Sequence, residues 1–362
     1  VLGNPSDANE GAHQTISAAV NIFGSVSVSG AERLTLTCAE TGDESQSCSE
    51  SLVLEPQEKF AYGTPFDLQI AAFNILLQNS EEFRQKFGAP FPRLCYRTEI
   101  PRQSGLGGST VLVLLTLVAL VNFYKLDRRV HNFYFLGEIA QRAEEVELGI
   151  TCGFADRYVP LLGDIAYLDY RGKLFHKPVK AEPYVTYEKL GSYVDYFPLV
   201  IVFPGVPHES GDVHGRMRGR YLEEFKGFRG DYNSGPFLVR QMHLIGEKAW
   251  KGKIALLESD WKRFGELMNE NHRLVDEMMT YCGFEAGAGR ANNMVIERAR
   301  SIGALGAKLT GAGGGGSVFV LCDPGKVDDV AQELKSLLQN EGYKKGWVYI
   351  PSIVHQGTVV LA

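Results

Sequence analysis

From residue 17 to 54 apolar positions repeatedly alternate with Ser and Thr, as in Val26-Ser27-Val28 and Leu34-Thr35-Leu36-Thr37, a period of two that predicts strands. The acidic, Ser-rich interval 40–51 reads as an exposed loop between two of them. The pattern turns helical over 66–79, 108–124 and 132–148, the first of these opening just after Thr64-Pro65, a good helix start. It loosens over 183–198. Leu199-Val200-Ile201-Val202-Phe203 is then a continuous apolar run closed by Pro204-Gly205, the signature of a buried strand. A boundary near 195 therefore gives two domains, 1–195 and 196–362. Helices follow over 239–252, 260–281 and 292–302, then a Gly-rich loop, a strand at 318–322, a helix at 327–339 and a strand pair at 347–353 and 358–361.

Composition narrows the function classes. A chain of 362 residues with 44% hydrophobic and 22% charged residues buries a sizeable core. Its net charge of -6 argues against a nucleic-acid partner, which calls for a basic stripe, but leaves room for a small anionic ligand on local arginines. The most apolar stretch, 111–121, is about half the ~20 residues that a bilayer-spanning helix needs, so it reads as a buried helix and no membrane partner is expected. The opening Val1-Leu2-Gly3-Asn4-Pro5 has neither a charged n-region nor a long apolar one, and the six cysteines lie far apart without metal-type spacing. A reduced, cytoplasmic protein is expected; the oligomeric state is open.

The clearest chemistry precedes the apolar helix. In Pro101-Arg102-Gln103-Ser104-Gly105-Leu106-Gly107-Gly108-Ser109-Thr110 a glycine-rich turn meets a helix N-terminus, whose unpaired N–H groups and partial positive charge suit a di- or triphosphate. It lacks the lysine of a Walker A loop and is not a GxGxxG turn. A second stretch, Ala143-Glu144-Glu145-Val146-Glu147-Leu148-Gly149-Ile150-Thr151-Cys152-Gly153-Phe154-Ala155-Asp156-Arg157, ends a helix in acids and continues to a lone Asp-Arg pair. An acidic helix end of this kind is also what a solvated face looks like. Phosphoryl transfer asks for two such carboxylates, one to hold a metal and one to orient or deprotonate the acceptor hydroxyl.

These segments resemble the motifs of the GHMP kinase family. Its second motif, Pro-x-x-x-Gly-Leu-Gly-Ser-Ser-Ala, is matched by Gly105, Leu106, Gly107, Gly108, Ser109 and Thr110, with Gly108 and Thr110 departing from the usual Ser and Ala. The resemblance implies that this loop wraps the phosphates of ATP and that the Ser109 hydroxyl faces Mg²⁺. It makes Asp156 the catalytic aspartate and Glu144 the Mg²⁺-binding glutamate. Glu147 competes for that role, because on an α-helix it lies three residues on and near the same face. Arg157 is expected to hold Asp156 ionised, to contact substrate or to pair with a surface acid.

Lys308-Leu309-Thr310-Gly311-Ala312-Gly313-Gly314-Gly315-Gly316-Ser317-Val318 resembles the third motif, which implies that Gly313, Gly314 and Gly315 help shape the nucleotide site. Leu2-Gly3-Asn4-Pro5-Ser6-Asp7 resembles the first motif in the form seen in glucuronokinases of plant type, with Asp7 either contacting the acceptor sugar or capping a turn or helix. The segment 210–222 resembles the same branch and contributes Arg218 and Arg220, whose forked donors suit a sugar-acid carboxylate; a basic helix face paired with Glu223 and Glu224 is the alternative. By resemblance the fold is α+β in two domains, the first with a left-handed βαβ unit and the second ferredoxin-like. The implied activity is phosphorylation of a sugar or sugar acid by ATP with Mg²⁺. Within that activity the branch resemblance points to D-glucuronate and its 1-phosphate, with a heptose-phosphate kinase or another GHMP sugar kinase as the runner-up. A non-catalytic sugar sensor and an ATP-dependent decarboxylase are remoter readings on the same scaffold.

Overall fold

A computed structural model describes residues 1–361 apart from Ala12, 40–47, 174–177, Asp195, His208, Glu209 and Ala312. Strands β1 (Gln14–Ala18), β2 (Gly24–Ala31), β3 (Leu34–Ala39) and β4 (Cys48–Leu54) come first. Helices α1 (Asp67–Asn79) and α2 (Glu81–Lys86), strand β5 (Phe91–Thr98) and helices α3 (Gly108–Phe123), α4 (Phe133–Arg142) and α5 (Ala155–Leu162) follow. Next come strands β6 (Ile165–Asp169), β7 (Thr186–Lys189) and β8 (Leu199–Phe203), then helices α6 (Ser210–Lys226), α7 (Phe237–Leu257), α8 (Trp261–Tyr281) and α9 (Arg290–Ser301). Strands β9 (Gly306–Leu309) and β10 (Val318–Leu321), helix α10 (Val327–Asn340) and strand β11 (Trp347–Tyr349) complete the order. Most of the expected 40–51 loop, and Asp195 at the expected boundary, lie outside the described residues.

Contacts gather into two compact units, neither continuous in sequence. The larger comprises Val1–Asn21, Arg102–Leu106 and Thr151–Ala362, the smaller Ile22–Pro101 and Gly107–Ile150.

In the smaller unit one sheet runs in the order β2-β5-β3-β4, with β5 antiparallel to β2 and parallel to β3. Helix α3 is apolar on all sides because it is covered on all sides. Val113, Leu117 and Leu120 are fully buried, and α3 packs against the sheet, α1 and α4, where Ile70, Phe73 and Ile139 are also fully buried. Each such side chain contributes roughly 1.5–3 kcal/mol. Its one polar mid-helix group, Thr116, is satisfied by Tyr96 Oη at 2.8 Å and Leu112 O at 2.8 Å.

In the larger unit β1, β6 and β7 form an antiparallel sheet in the order β1-β6-β7. The second sheet has the order β11-β8-β10-β9, antiparallel throughout. Counted from β8 as first strand, that order is four-one-three-two with helices between the first and second strands and between the third and fourth. This is the expected ferredoxin-like arrangement. The all-apolar run of β8 is buried at every position, as a central strand covered on both faces requires.

The last expected strand is not formed. Residues 358–361 pair with no strand; Thr358 instead donates from N to Leu161 O and from Oγ1 to Pro160 O, two carbonyls freed where α5 ends. Among the described residues no helix is long and apolar enough to cross a membrane. Cys95, Cys282 and Cys322 are free thiols.

Candidate active site

The glycine-rich turn is shared out by the division of the chain, Arg102–Leu106 belonging to the larger unit and Gly107 onward to the smaller. In the smaller unit Gly107 is the N-cap of α3 with φ 74°, a left-handed conformation that glycine adopts freely, and no side chain caps the helix. The N–H groups of Gly108 and Ser109 therefore stand without a side-chain cap at the positive end of a 16-residue helix, the arrangement that holds phosphate oxygens. Ser109 is exposed there, whereas Thr110 is buried and its hydroxyl donates to Glu144 Oε1 at 2.7 Å.

Glu144 itself is buried, and it sits in a π-turn, Ala143–Glu147, that follows α4. The extra residue in that turn settles a geometric question that α-helical spacing leaves open. Glu144 and Glu147, neighbours on an α-helical face, are rotated apart by the wider turn. Glu147 is engaged elsewhere, accepting from Tyr62 Oη and Gln78 Nε2 and pairing with Lys59 Nζ at 3.1 Å. Burial alone pushes its carboxyl up, but these donors outweigh burial and hold it below the ordinary glutamate value.

In the larger unit the glycine run of the third motif is held as a fixed loop. Gly313 to Gly316 all have positive φ, and a Cβ on Gly315 would lie 2.4 Å from Pro207 O. Asn292 Nδ2 donates to Gly315 O at 2.8 Å, and Gly314 N and Gly316 N donate to Ala288 O and Val206 O, both at 3.1 Å. The flanks of the run reach the phosphate turn: Thr310 Oγ1 donates to Gly105 O at 2.9 Å and Ser317 Oγ to Ser104 O at 2.8 Å. Two short polar residues on either side of four glycines were the sequence signal for this clasp, and the motif reading passed over them.

Asp7 is a helix cap. Its Oδ2 accepts from Phe154 N at 2.9 Å and Ala155 N at 3.0 Å, two of the orphan donors that open α5. Gly153 makes the approach feasible, since a Cβ there would fall 2.1 Å from the same oxygen. Burial, and then the nearby charge of Asp156, raise the Asp7 carboxyl above its ordinary value, against the pull of the two N–H groups and Arg157. Asp156 stands in the first turn of the helix so capped, its side chain 42% exposed. The buried Arg157 guanidinium donates from Nη1 to Asp156 Oδ1.

Arg218 and Arg220 part company. Two residues apart on α6, they lie on different sides of it: Arg218 is buried, while Arg220 is exposed and donates from Nη1 to Tyr281 O at 2.6 Å, a C-terminal carbonyl of α8. A cation at that negative helix end stabilises α8 and needs no ligand.

The donors fit Mg²⁺ better than a metal caged by protein. Among the described residues no three His, Cys, Asp or Glu side chains cluster as a metal site. A buried carboxylate bonded to Thr110, next in the chain to the exposed Ser109 at an uncapped helix start, suits an ion whose shell phosphate oxygens and water complete.

An uncapped helix start with a buried carboxylate bonded to its first turn in one unit, and a fixed glycine loop in the other, are features that phosphate-handling enzymes use. The chain belongs to the GHMP kinase family: the family models described as GHMP kinases N terminal domain and GHMP kinases C terminal match residues 74–164 and 253–340. Among its relatives, Glucuronokinase 1 of Arabidopsis thaliana is 30% identical over 351 residues, 97% of this chain and 88% of that protein. Probable glucuronokinase 2 of the same plant is 33% identical over 265 residues, 71% of this chain and 63% of that protein. In fold the chain is similar to Lactococcus lactis galactokinase complexed with galactose, with a TM-score of 0.75 at 17% identity over 99% of this chain and 92% of that one.

Proposed function

We propose that this protein is an ATP- and Mg²⁺-dependent sugar kinase whose acceptor is a uronic acid, D-glucuronate foremost, and whose product is D-glucuronate 1-phosphate. The observation that carries this reading is the likeness to a glucuronokinase along 97% of the chain. The phosphate turn, the carboxylate in the neighbouring π-turn and the capped helix of Asp156 supply the chemistry such a kinase needs.

In this account the N–H groups of Gly108 and Ser109 bind phosphate oxygens of ATP, and Ser109 and Glu144 hold Mg²⁺. When bound, the ion neutralises charge on the transferring phosphoryl group. Thr110 fixes the Glu144 carboxylate through its hydroxyl. Asp156 accepts the proton of the acceptor hydroxyl, Arg157 orients that carboxylate, and Asp7 keeps the start of α5 in place. Arg218 meets the carboxylate of the sugar acid.

A pocket that provides a guanidinium for this carboxylate favours the sugar acid over the neutral sugar, because the forked donors match a carboxylate and not a hydroxymethyl group. D-glucuronate should therefore exceed D-glucose in kcat/KM by at least roughly 10-fold in an ADP-release assay. Arg218→Met should remove most of that preference, and Arg220→Met should leave it intact while lowering the melting temperature. An unchanged preference in Arg218→Met, with its loss in Arg220→Met, would move the carboxylate site to the other face of α6.

A further inference from the structure

One buried charge in the larger unit has no part in the chemistry above. Lys308, on β9 immediately before the glycine loop, is fully buried. Among the described residues it forms no ion pair with a carboxylate, and burial brings its ammonium down to about 7. A desolvated ammonium without a countercharge is a large cost, and an apolar side chain of similar length would fill the space. What the lysine does instead is donate to Asn4 Oδ1 at 2.9 Å and to Leu309 O at 2.6 Å.

Asn4 is the other half of the arrangement. The amide that accepts from Lys308 donates from Nδ2 to Gly311 O at 2.8 Å, so both of its ends are bound to the strand and loop of the third motif. Asn271 on α8 fixes the backbone on either side, accepting from Gly3 N at 2.8 Å and donating to Asn4 O at 3.3 Å. Three residues on, Asp7 caps the helix of Asp156. At the opposite end of the same chain of bonds, Thr310 and Ser317 hold the carbonyls of Gly105 and Ser104 in the phosphate turn. Within one compact unit, hydrogen bonds joined by the short backbone segments 308–311 and 4–7 thus lead from the nucleotide loops to the acceptor loop. Leucine or methionine at 308 and alanine at 4 would preserve packing and break this path in the middle.

Resting on the kinase reading above, we propose that Lys308 and Asn4 are positioning residues that couple the two ligands: nucleotide on the glycine loops sets the Gly3–Asp7 loop, so that ATP and the sugar bind synergistically. Coupling of this kind is reciprocal and commonly amounts to about 5- to 150-fold in affinity.

The test measures the dissociation constant of the sugar by calorimetry with and without Mg²⁺ and the non-hydrolysable analogue adenylyl imidodiphosphate. The sugar used is whichever one the ADP-release assay shows to be turned over best, so an error in the acceptor's identity does not reach this experiment. The unmodified protein should bind the sugar about 10-fold more tightly with the analogue present. Asn4→Ala and Lys308→Met should each bring that factor below about 2, keep the affinity for either ligand alone within about 3-fold, and show no further loss when combined. Thermal melting establishes that each variant is folded, and Asn4→Ala, which leaves the buried lysine in place, supplies the answer if Lys308→Met does not fold. A merely structural role would weaken both ligands and leave the factor untouched. An unmodified protein without synergy, or an Asn4→Ala protein that keeps it, overturns the proposal and leaves the kinase reading standing; no turnover of any sugar overturns both.

Discussion

Asp156→Asn is expected to bind ATP and the sugar acid with nearly unchanged affinity while kcat falls by roughly 10²–10⁴, the range for loss of a positioned general base. The substitution keeps the shape of the side chain and an oxygen to accept from Arg157 Nη1, so the capped start of α5 has no reason to move. What it removes is the charge that, in the proposed role, takes the acceptor's proton. Rapid-quench or steady-state kinetics at saturating ligands, with calorimetry for binding, separate the two effects. Loss of sugar binding with kcat preserved at saturation would make Asp156 a substrate clamp and transfer the base to another group.

Glu144→Gln is expected to lower kcat by on the order of 10² or more, because in the proposed role its carboxylate would hold the metal whose charge offsets that of the phosphates. Its amide oxygen can still accept from the Thr110 hydroxyl, so the fold should survive. Ser109→Ala should act in the same direction. Glu147→Gln is the internal control. It removes the charge that Tyr62, Gln78 and Lys59 converge on, so it should lower the melting temperature and leave turnover close to normal. Titrating Mg²⁺ in each variant adds a second readout, since only the metal ligand should raise the Mg²⁺ concentration needed for half-maximal rate. The opposite pair of results would exchange the roles of the two glutamates.

The contrast between these glutamates shows what the sequence carries and where it stops. The start of α3, its glycine turn and its buried run are local, written in residues next to one another, and the helix forms over 108–123 as the pattern requires. The π-turn is written nowhere so locally. Residues 132–148 read as one helix, and only the packed structure shows that the last turn widens after Arg142 and separates Glu144 from Glu147. The arginines of α6 repeat the lesson. That two positions two apart face different ways follows from helical geometry; that Arg220 is the one spent on a helix end depends on Tyr281, 61 residues away.

Asp7 lay between two readings for the same reason, its partners being backbone groups 147 and 148 residues on. The ferredoxin-like sheet was legible through the family resemblance, whereas the division into two discontinuous units was not, because the chain passes between them at positions such as 21 and 150 with no change of composition to mark the crossing. The strand expected over 358–361 failed because a short run of β-branched and apolar residues becomes a strand only where a partner edge is available, and here Thr358 bonds to the end of α5.

The central claim is that phosphate passes from ATP to the anomeric hydroxyl of a uronic acid. Incubation with ATP, Mg²⁺ and D-glucuronate, followed by phosphorus-coupled NMR of the product, tests it most directly. The account requires a new sugar phosphate whose phosphorus couples to the anomeric proton, formed in step with ADP and not formed by Asp156→Asn. ADP release with heptose 7-phosphate and none with D-glucuronate or D-galacturonate would contradict it.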